Sequence, residues 1–335
     1  MSRENGWTHA MDKGQQRITS NDVAKASGVS RATVSYVLNN DPRQSIPEET
    51  RKRVIREAEK LGYRPFTPAR VLRAGHSQIV LAVLPFEQVD PGLALGLKEL
   101  ETRLVEYGFT LISYVGVQQL ASKIHPSANV TPSVIVSYGN EKDPAIASFL
   151  QQFQVPVLSG MNNQAMQQLS GKTQVDYLVK QSQRHIVFAA PERQDVQFVV
   201  QARLNGVRQG CTGHGLPSAP VFVVPASRPA ARAAIQNLLS HQPGPYGICC
   251  YNDEVAFAVL AALTDEGISI PKEAAVIGFD NIPLAQFSIP ALTTMYFDGQ
   301  QSLDALVENI LSASRGEATR QVPQPSLKLI VRDSA

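Results

Sequence analysis

The stretch Ile18–Asn40, ITSNDVAKASGVSRATVSYVLNN, holds the densest set of side chains able to make directed contacts. Ser30, Arg31, Ala32, Thr33 and Ser35 cluster at the head of a segment with helical apolar spacing. Short polar and basic groups at a helix start suit the base edges of a major groove. An Arg can bond guanine through two hydrogen bonds, and an Ala or Thr methyl can touch a thymine methyl. The free N–H groups of the same helix start can hold a phosphate.

Such side chains work only if short helices present them. The spacing predicts three helices within residues 17–66. Thr19-Ser20-Asn21-Asp22 reads as a capping box, with Asp22 in place of the usual Glu or Gln. Val23 and Ala24 begin an apolar face, and Gly28 ends that helix in a tight turn, Ser27-Gly28-Val29. Ser30 caps a second helix, Arg31 to Leu38, with Val34, Val37 and Leu38 facing inward. Asn39 to Pro42 form a loop. Pro47 is expected at the first position of a third helix that runs to Leu61, where Gly62 stops it. Val54, Ala58 and Leu61 give that helix its i, i+4, i+7 face.

Charge supports a polyanionic partner for this front. Residues 1–75 carry 14 Lys and Arg against 8 Asp and Glu, and the remainder 17 against 21. A basic front on an acidic body steers toward nucleic acid. Apolar runs such as Ile79–Leu84 are too short to span a membrane, and the polar N-terminus lacks the apolar stretch of a secretory signal. Three cysteines, Cys211, Cys249 and Cys250, fit neither a disulfide framework nor a zinc site. These features predict a cytoplasmic protein with no membrane partner, no metal and no cofactor. No P-loop, GxSxG, HExxH or His/Cys cluster is present, and His185 and His241 read as packing or surface groups, so no enzyme is expected.

From Gln78 onward, strand-like runs alternate with helical ones. The strands are expected at Ile79–Leu84, Thr110–Val115, Ser133–Ser137, Val155–Leu158, His185–Ala189, Val221–Val224, Gly247–Tyr251 and Ala275–Phe279. Helical stretches between them include Gly92–Tyr107, Ala145–Phe153, Ala230–His241 and Glu254–Glu266. Alternation of this kind predicts parallel, doubly wound sheets, and the length predicts two lobes.

DVAKASGVSRATVSYVLNN followed by LGYRPFTPARVLRAG resembles the lactose-repressor (LacI/GalR) family of bacterial transcription regulators. RLNGVRQG at 203–210, CYNDEVAFAVLAALTDEGISIPKEAAVIGFDNIPLAQFSIPALTTM at 250–295 and LIVRDS at 329–334 match the family pattern in order and spacing. The resemblance spans about residues 18–334. It implies a small all-α helix-turn-helix headpiece and an α/β two-lobed periplasmic-binding-protein-like core. The expected boundaries are a mobile tail 1–16, the headpiece 17–66, a hinge helix 67–75 and the core 76–335. One lobe is expected at 76–168 with 296–322, the other at 169–295 with 323–335. The family works as a homodimer on near-palindromic double-stranded operator DNA, with a small effector, a sugar or related metabolite, between the lobes. After LIVRDS only Ala335 follows, which leaves no heptad segment to join two dimers.

Carried over by position, Arg31 and Ala32 fall at base-reading sites, and Ser30, Thr33 and Ser35 at nearby base or phosphate sites. Tyr36 stands where many members have Arg. Thr19, Asn39 and Tyr63 complete the headpiece contacts. Leu72 falls at the hinge position that wedges into the central base step, with Ala69 beside it and Arg70 and Arg73 flanking. In the core, Asp90, Arg203, Asn252 and Asp280 fall at effector positions. The alternative for Asn252 is a cap on the helix that follows it, and for Arg203 and Asp280 a pairing with each other. Gly92 replaces the family's aromatic, Ser159-Gly160-Met161 and Met166-Gln167 replace stretches with Asp, and an aromatic is absent around Pro225-Ala226. These departures leave two regulators open, one controlled by an effector and one with a degenerate cleft. A soluble solute-binding protein is the further alternative.

Overall fold

The computed structural model describes residues 18–38, 45–63, 77–116, 130–140, 142–160, 164–181, 185–241 and 244–335. The chain divides into two compact units, one ending at His76 and one starting at Ser77.

The first unit contains α1 (Ser20–Ser27), α2 (Arg31–Leu38) and α3 (Glu48–Lys60). Its ends are set by local chemistry. The Thr19 N–H donates to Asp22 Oδ2 at 2.8 Å and the Thr19 hydroxyl donates to the same oxygen at 2.6 Å. Gly28, at φ +65°, takes the left-handed conformation that closes α1, and its N–H reaches the carbonyls of Ala24 and Lys25. Pro47 is the residue before α3, with an extended ψ of 138°, and Glu48 and Glu49 form the first turn. The expectation of Pro47 inside the helix is therefore off by one residue. Its fixed φ suits either position, and its ψ decides. Val23, Ala24, Val34, Val37, Val54 and Ala58 form the core of this unit, with Leu38 and Leu61 packed against it.

The second unit holds two parallel sheets. The first lobe contains β1 (Ile79–Leu84), α4 (Pro91–Glu106), β2 (Thr110–Val115), β3 (Val134–Ser137), α5 (Pro144–Gln151) and β4 (Val157–Ser159), in sheet order β2-β1-β3-β4. The second contains α6 (Gln164–Gln181), β5 (His185–Pro191), α7 (Gln197–Gly213), β6 (Val221–Val224), α8 (Arg228–His241), β7 (Tyr246–Cys250), α9 (Asp253–Asp265) and β8 (Ala274–Ile277), in sheet order β6-β5-β7-β8. Strand β1 shows why its sequence is apolar throughout. Val80, Ala82 and Leu84 join one core with Leu100 and Leu104 of α4, and Leu81 and Val83 join another with Ile146 and Phe149 of α5. A strand covered on both faces has no polar alternation.

An antiparallel pair, β9 (Thr294–Asp298) with β10 (Ser326–Ile330), was not among the expected strands. Between its strands, α10 (Gln300–Ser314) packs on α4 and β3 of the first lobe. The chain end then returns to the second lobe, where the Val276 N–H donates to the Ser334 carbonyl at 2.8 Å.

Candidate functional site

In the first unit, α2 separates its faces cleanly. Val34 and Val37 are buried, while Arg31 and Ala32 are exposed and Thr33, Ser35 and Tyr36 are half-buried. The Ser30 Oγ accepts the Thr33 N–H at 3.0 Å, so this serine caps the helix. Arg31 Nε donates to Ser20 Oγ at 3.1 Å, which ties the head of α2 to α1. Arg53 Nε donates to the Ser27 carbonyl at 2.9 Å, which docks α3 under the turn. The result is an exposed, capped helix start with Arg31 and Ala32 side by side. Thr19 serves as the cap of α1, and Tyr63 is half-buried against the headpiece core. Asn39, Ala69, Arg70, Leu72 and Arg73 lie outside the described residues, as do the tail 1–16 and the hinge segment 67–75.

In the second unit, a cavity of about 610 Å³ lies where strand ends of both lobes converge. Each sheet order reverses direction there, between β1 and β3 and between β5 and β7. Open α/β sheets bind ligands at such reversals. Asp90, Arg203 and Asp280 all line the cavity, together with aromatic rings of Phe86, Tyr138, Tyr251 and Phe279.

Arg203 reaches this place because α6 and α7 cross in backbone contact. A Cβ on Gly171 would strike the Arg203 carbonyl, and one on Gly206 would strike that of Gln168. At this close crossing, Arg203 Nε donates to Gln167 Oε1 at 2.8 Å, and Nη1 donates to the Tyr251 carbonyl. The guanidinium carbon lies 4.0 Å from the Phe279 ring centre and 4.8 Å from that of Tyr251. A cation held over two rings, with only 6% of its residue surface exposed, is fixed in place.

Asp280 is held with φ at +113°, a conformation a non-glycine residue rarely takes. The buried carboxylate of Asp253 imposes it. Asp253 Oδ2 accepts the Ile282 N–H at 2.9 Å, Oδ1 accepts the Thr294 hydroxyl at 2.5 Å, and its own N–H donates to the Phe279 carbonyl at 2.9 Å. Arg332 adds a bond from Nη2 to Asn281 Oδ1 at 2.9 Å. Burial pushes Asp253 up to about 6. Burial pushes Asp280 further, to about 8; Arg203 pulls against this, while Asp253, Asp90 and Glu254 add to it. Among the described residues the Asp280 carboxyl has no hydrogen-bond partner, so it faces the cavity ready for a donor.

Asn252 does not line the cavity. It is buried, and its Oδ1 accepts the Val255 N–H at 3.0 Å as the cap of α9. The expectation of an effector contact there is corrected: the carboxamide oxygen closes a helix start. Asp90 also has partners within the protein, since it accepts from Arg193 and from the Tyr251 hydroxyl at 3.0 Å.

The departures in the first lobe have structural counterparts. A Cβ on Gly92 would lie 2.5 Å from Asp280 Cγ, so the missing aromatic leaves room for that carboxyl. A Cβ on Gly160 would press 2.6 Å into the Tyr138 ring. Aromatic lining is thus supplied from other positions. Met166 stands in place of the expected acid, and Gln167 beside it holds Arg203. Sequence reasoning passed over Arg193, Asp195 and Tyr251. Arg193 and Tyr251 stand just past the ends of β5 and β7, and that placement was the available signal.

Two family models match the chain. "Bacterial regulatory proteins, lacI family" matches residues 19–65, and "Periplasmic binding protein-like domain" matches residues 175–335. Residues 19–65 thus carry a lacI-family regulatory domain and residues 175–335 a periplasmic-binding-protein-like domain. The chain is a DNA-binding transcriptional regulator with an effector-binding type of core. The HTH-type transcriptional repressor CytR of Escherichia coli is 27% identical over 96% of this chain and 97% of the relative. Catabolite control protein A of Priestia megaterium is 26% identical over 83% of this chain and 87% of the relative. Among solved structures, the lac repressor dimer bound to operator and the anti-inducer ONPF has a TM-score of 0.76 at 20% identity. It covers 95% of this chain and 99% of that chain. The complex of transcriptional regulator CelR with cellobiose has a TM-score of 0.65 at 23% identity, covering 95% of this chain and 100% of that chain. These likenesses confirm the expected lacI-family fold of headpiece and two-lobed core. No helix among the described residues is long and apolar enough to cross a membrane.

Proposed function

We propose that this chain represses transcription by reading a near-palindromic operator as a homodimer, with α2 in the major groove. The observation that carries the reading is the capped, exposed start of α2, where Arg31 and Ala32 stand clear of the headpiece core. Arg31 and Ala32 read bases, and Ser30, Thr33, Ser35 and Tyr36 contact phosphates or neighbouring bases. The lac repressor structure, a dimer bound to operator, supports the assignment. An apolar stretch in the second lobe supports dimerisation: Leu284, Phe287 and Ile289 are 62%, 72% and 91% exposed. A second copy would cover them. We assign the protein no catalytic step and place it in the cytoplasm.

The cavity between the lobes takes a small hydroxylated or amine-bearing effector, which the protonated Asp280 carboxyl would meet as acceptor through its carbonyl oxygen and as donor through its hydroxyl, and which the aromatic rings would pack against. CelR bound to cellobiose is the precedent for a sugar. A second reading is an effector-independent regulator, favoured by the bonds that Arg203 and Asp90 already make within the protein. Selection of duplexes from random DNA by the purified protein tests the proposal. Enrichment of one inverted repeat supports it, and recovery of unrelated sequences refutes it. Thermal-shift screening against metabolite pools separates the two forms of regulation.

A further inference from the structure

We propose that Arg193 and Asp195 form a latch that holds the two lobes of the core shut without a ligand. The pair sits on the loop after β5 in the second lobe. Across the cleft, the loop after β1 presents Glu87, Gln88 and Asp90. Arg193 donates to Asp90 Oδ1 through Nη1 and to the Gln88 carbonyl through Nη2, the latter at 2.7 Å. Asp195 Oδ2 accepts the Glu87 N–H at 2.8 Å. The Tyr251 hydroxyl adds a bond to Asp90 Oδ2 at 3.0 Å. These four hydrogen bonds join the lobes, and both Asp90 oxygens are taken.

The latch is organised before it closes. Within its own loop, Arg193 donates to Asp195 Oδ2 at 2.7 Å and to Oδ1 at 3.2 Å, and its carbonyl accepts from Gln197 Nε2 at 2.7 Å. The fork of one guanidinium is thus aimed by one carboxylate at another. Side-chain exposure is 19% for Arg193, 16% for Asp90 and 2% for Asp195, so water screens these ion pairs weakly. Burial lowers the Arg193 pKa and the two carboxylates raise it, with a net rise. Beside the latch, Phe86 of the first lobe stacks on Phe198 of the second, with ring centres 6.2 Å apart. In this arrangement Arg193 acts as a bound ligand does in a solute-binding core: it satisfies polar groups of both lobes at once. Asp90 is then a latch acceptor, and recognition inside the closed cavity falls to Asp280.

The test is hydrogen exchange on the full-length protein, refolded from denaturant to strip any bound small molecule. The Glu87 amide reports the latch directly, because its acceptor belongs to the other lobe. We expect this amide to be protected in the wild type. Exchange should accelerate by ~10-fold or more in Arg193→Ala and in Asp195→Asn, as expected for loss of charge-assisted bonds. The Leu104 amide, within α4, should not change. X-ray scattering should show a larger radius of gyration for both variants. If Arg193→Ala fails to fold, Arg193→Lys, which cannot fork to three acceptors, should give an intermediate acceleration. An unprotected Glu87 amide in the wild type overturns the proposal, and so do variants with unchanged exchange and scattering. None of these readouts uses DNA, so their failure leaves the DNA-reading assignment standing.

Discussion

Replacing Asp280 by Asn removes a carboxyl that the fold keeps from ionising, and the consequence is a pH-dependent gain in stability. The folded carboxyl titrates at about 8, against 3.8 for the ordinary group. Between those values the folded state holds a proton that the unfolded state has released. Stability contributed by this group therefore falls as pH rises from about 4 to about 8. Each pH unit in that window costs up to about 1.4 kcal/mol, so the ceiling near pH 7 is about 4 kcal/mol. Water entering the cavity beside Asp280 reduces this, and we expect ~1–3 kcal/mol. For a domain of this size 1 kcal/mol moves the melting temperature by about 2–4 °C. Calorimetric melts of wild type and Asp280→Asn should nearly coincide at pH 4.5. They should separate steadily up to pH 8 with the variant more stable, and then run parallel. A constant offset, or an offset that shrinks with pH, would refute the claim that burial governs this carboxyl.

Two further outcomes follow from packing. Gly206→Ala places a methyl on the Gln168 carbonyl, so α6 and α7 must part and Arg203 must lose Gln167. Overpacking of this kind costs about 1–3 kcal/mol, and the core should melt ~2–12 °C lower with the headpiece transition unmoved. Val54→Ala empties the centre of a headpiece whose core is six buried residues. About 2 kcal/mol is a large share of a small unit's stability, so helical signal from the headpiece should vanish at a lower temperature while the core transition stays put.

The headpiece was legible nearly residue by residue because its boundaries rest on local chemistry. Thr19, Gly28, Ser30 and Gly62 act on neighbours three to five positions away, and sequence shows such pairs. The parallel strands were legible for a different reason, since apolar runs such as Ile79–Leu84 are bounded by turn residues. The β9–β10 pair escaped because a whole helix, α10, separates its strands, so no hairpin signal joins them. The cleft was half visible. Arg203 and Asp280 stood in recognisable motifs, but the latch residues act on partners about a hundred positions away. Asn252 carried two signals at once, strand end and helix start, and the Asp253-Glu254 that follows it marked the helix start. The strained Asp280 depends on Asp253, Thr294 and Arg332, which only folding brings together.

Anisotropy titration of a selected operator measures directly whether the exposed start of α2 reads duplex DNA. The wild type should bind the operator far more tightly than scrambled duplex, with affinity falling steeply as salt rises. Arg31→Ala should weaken operator binding by about 5- to 150-fold, the loss of one bidentate base contact, and leave scrambled-duplex binding nearly unchanged. Equal affinity of wild type and Arg31→Ala for the operator would contradict the account.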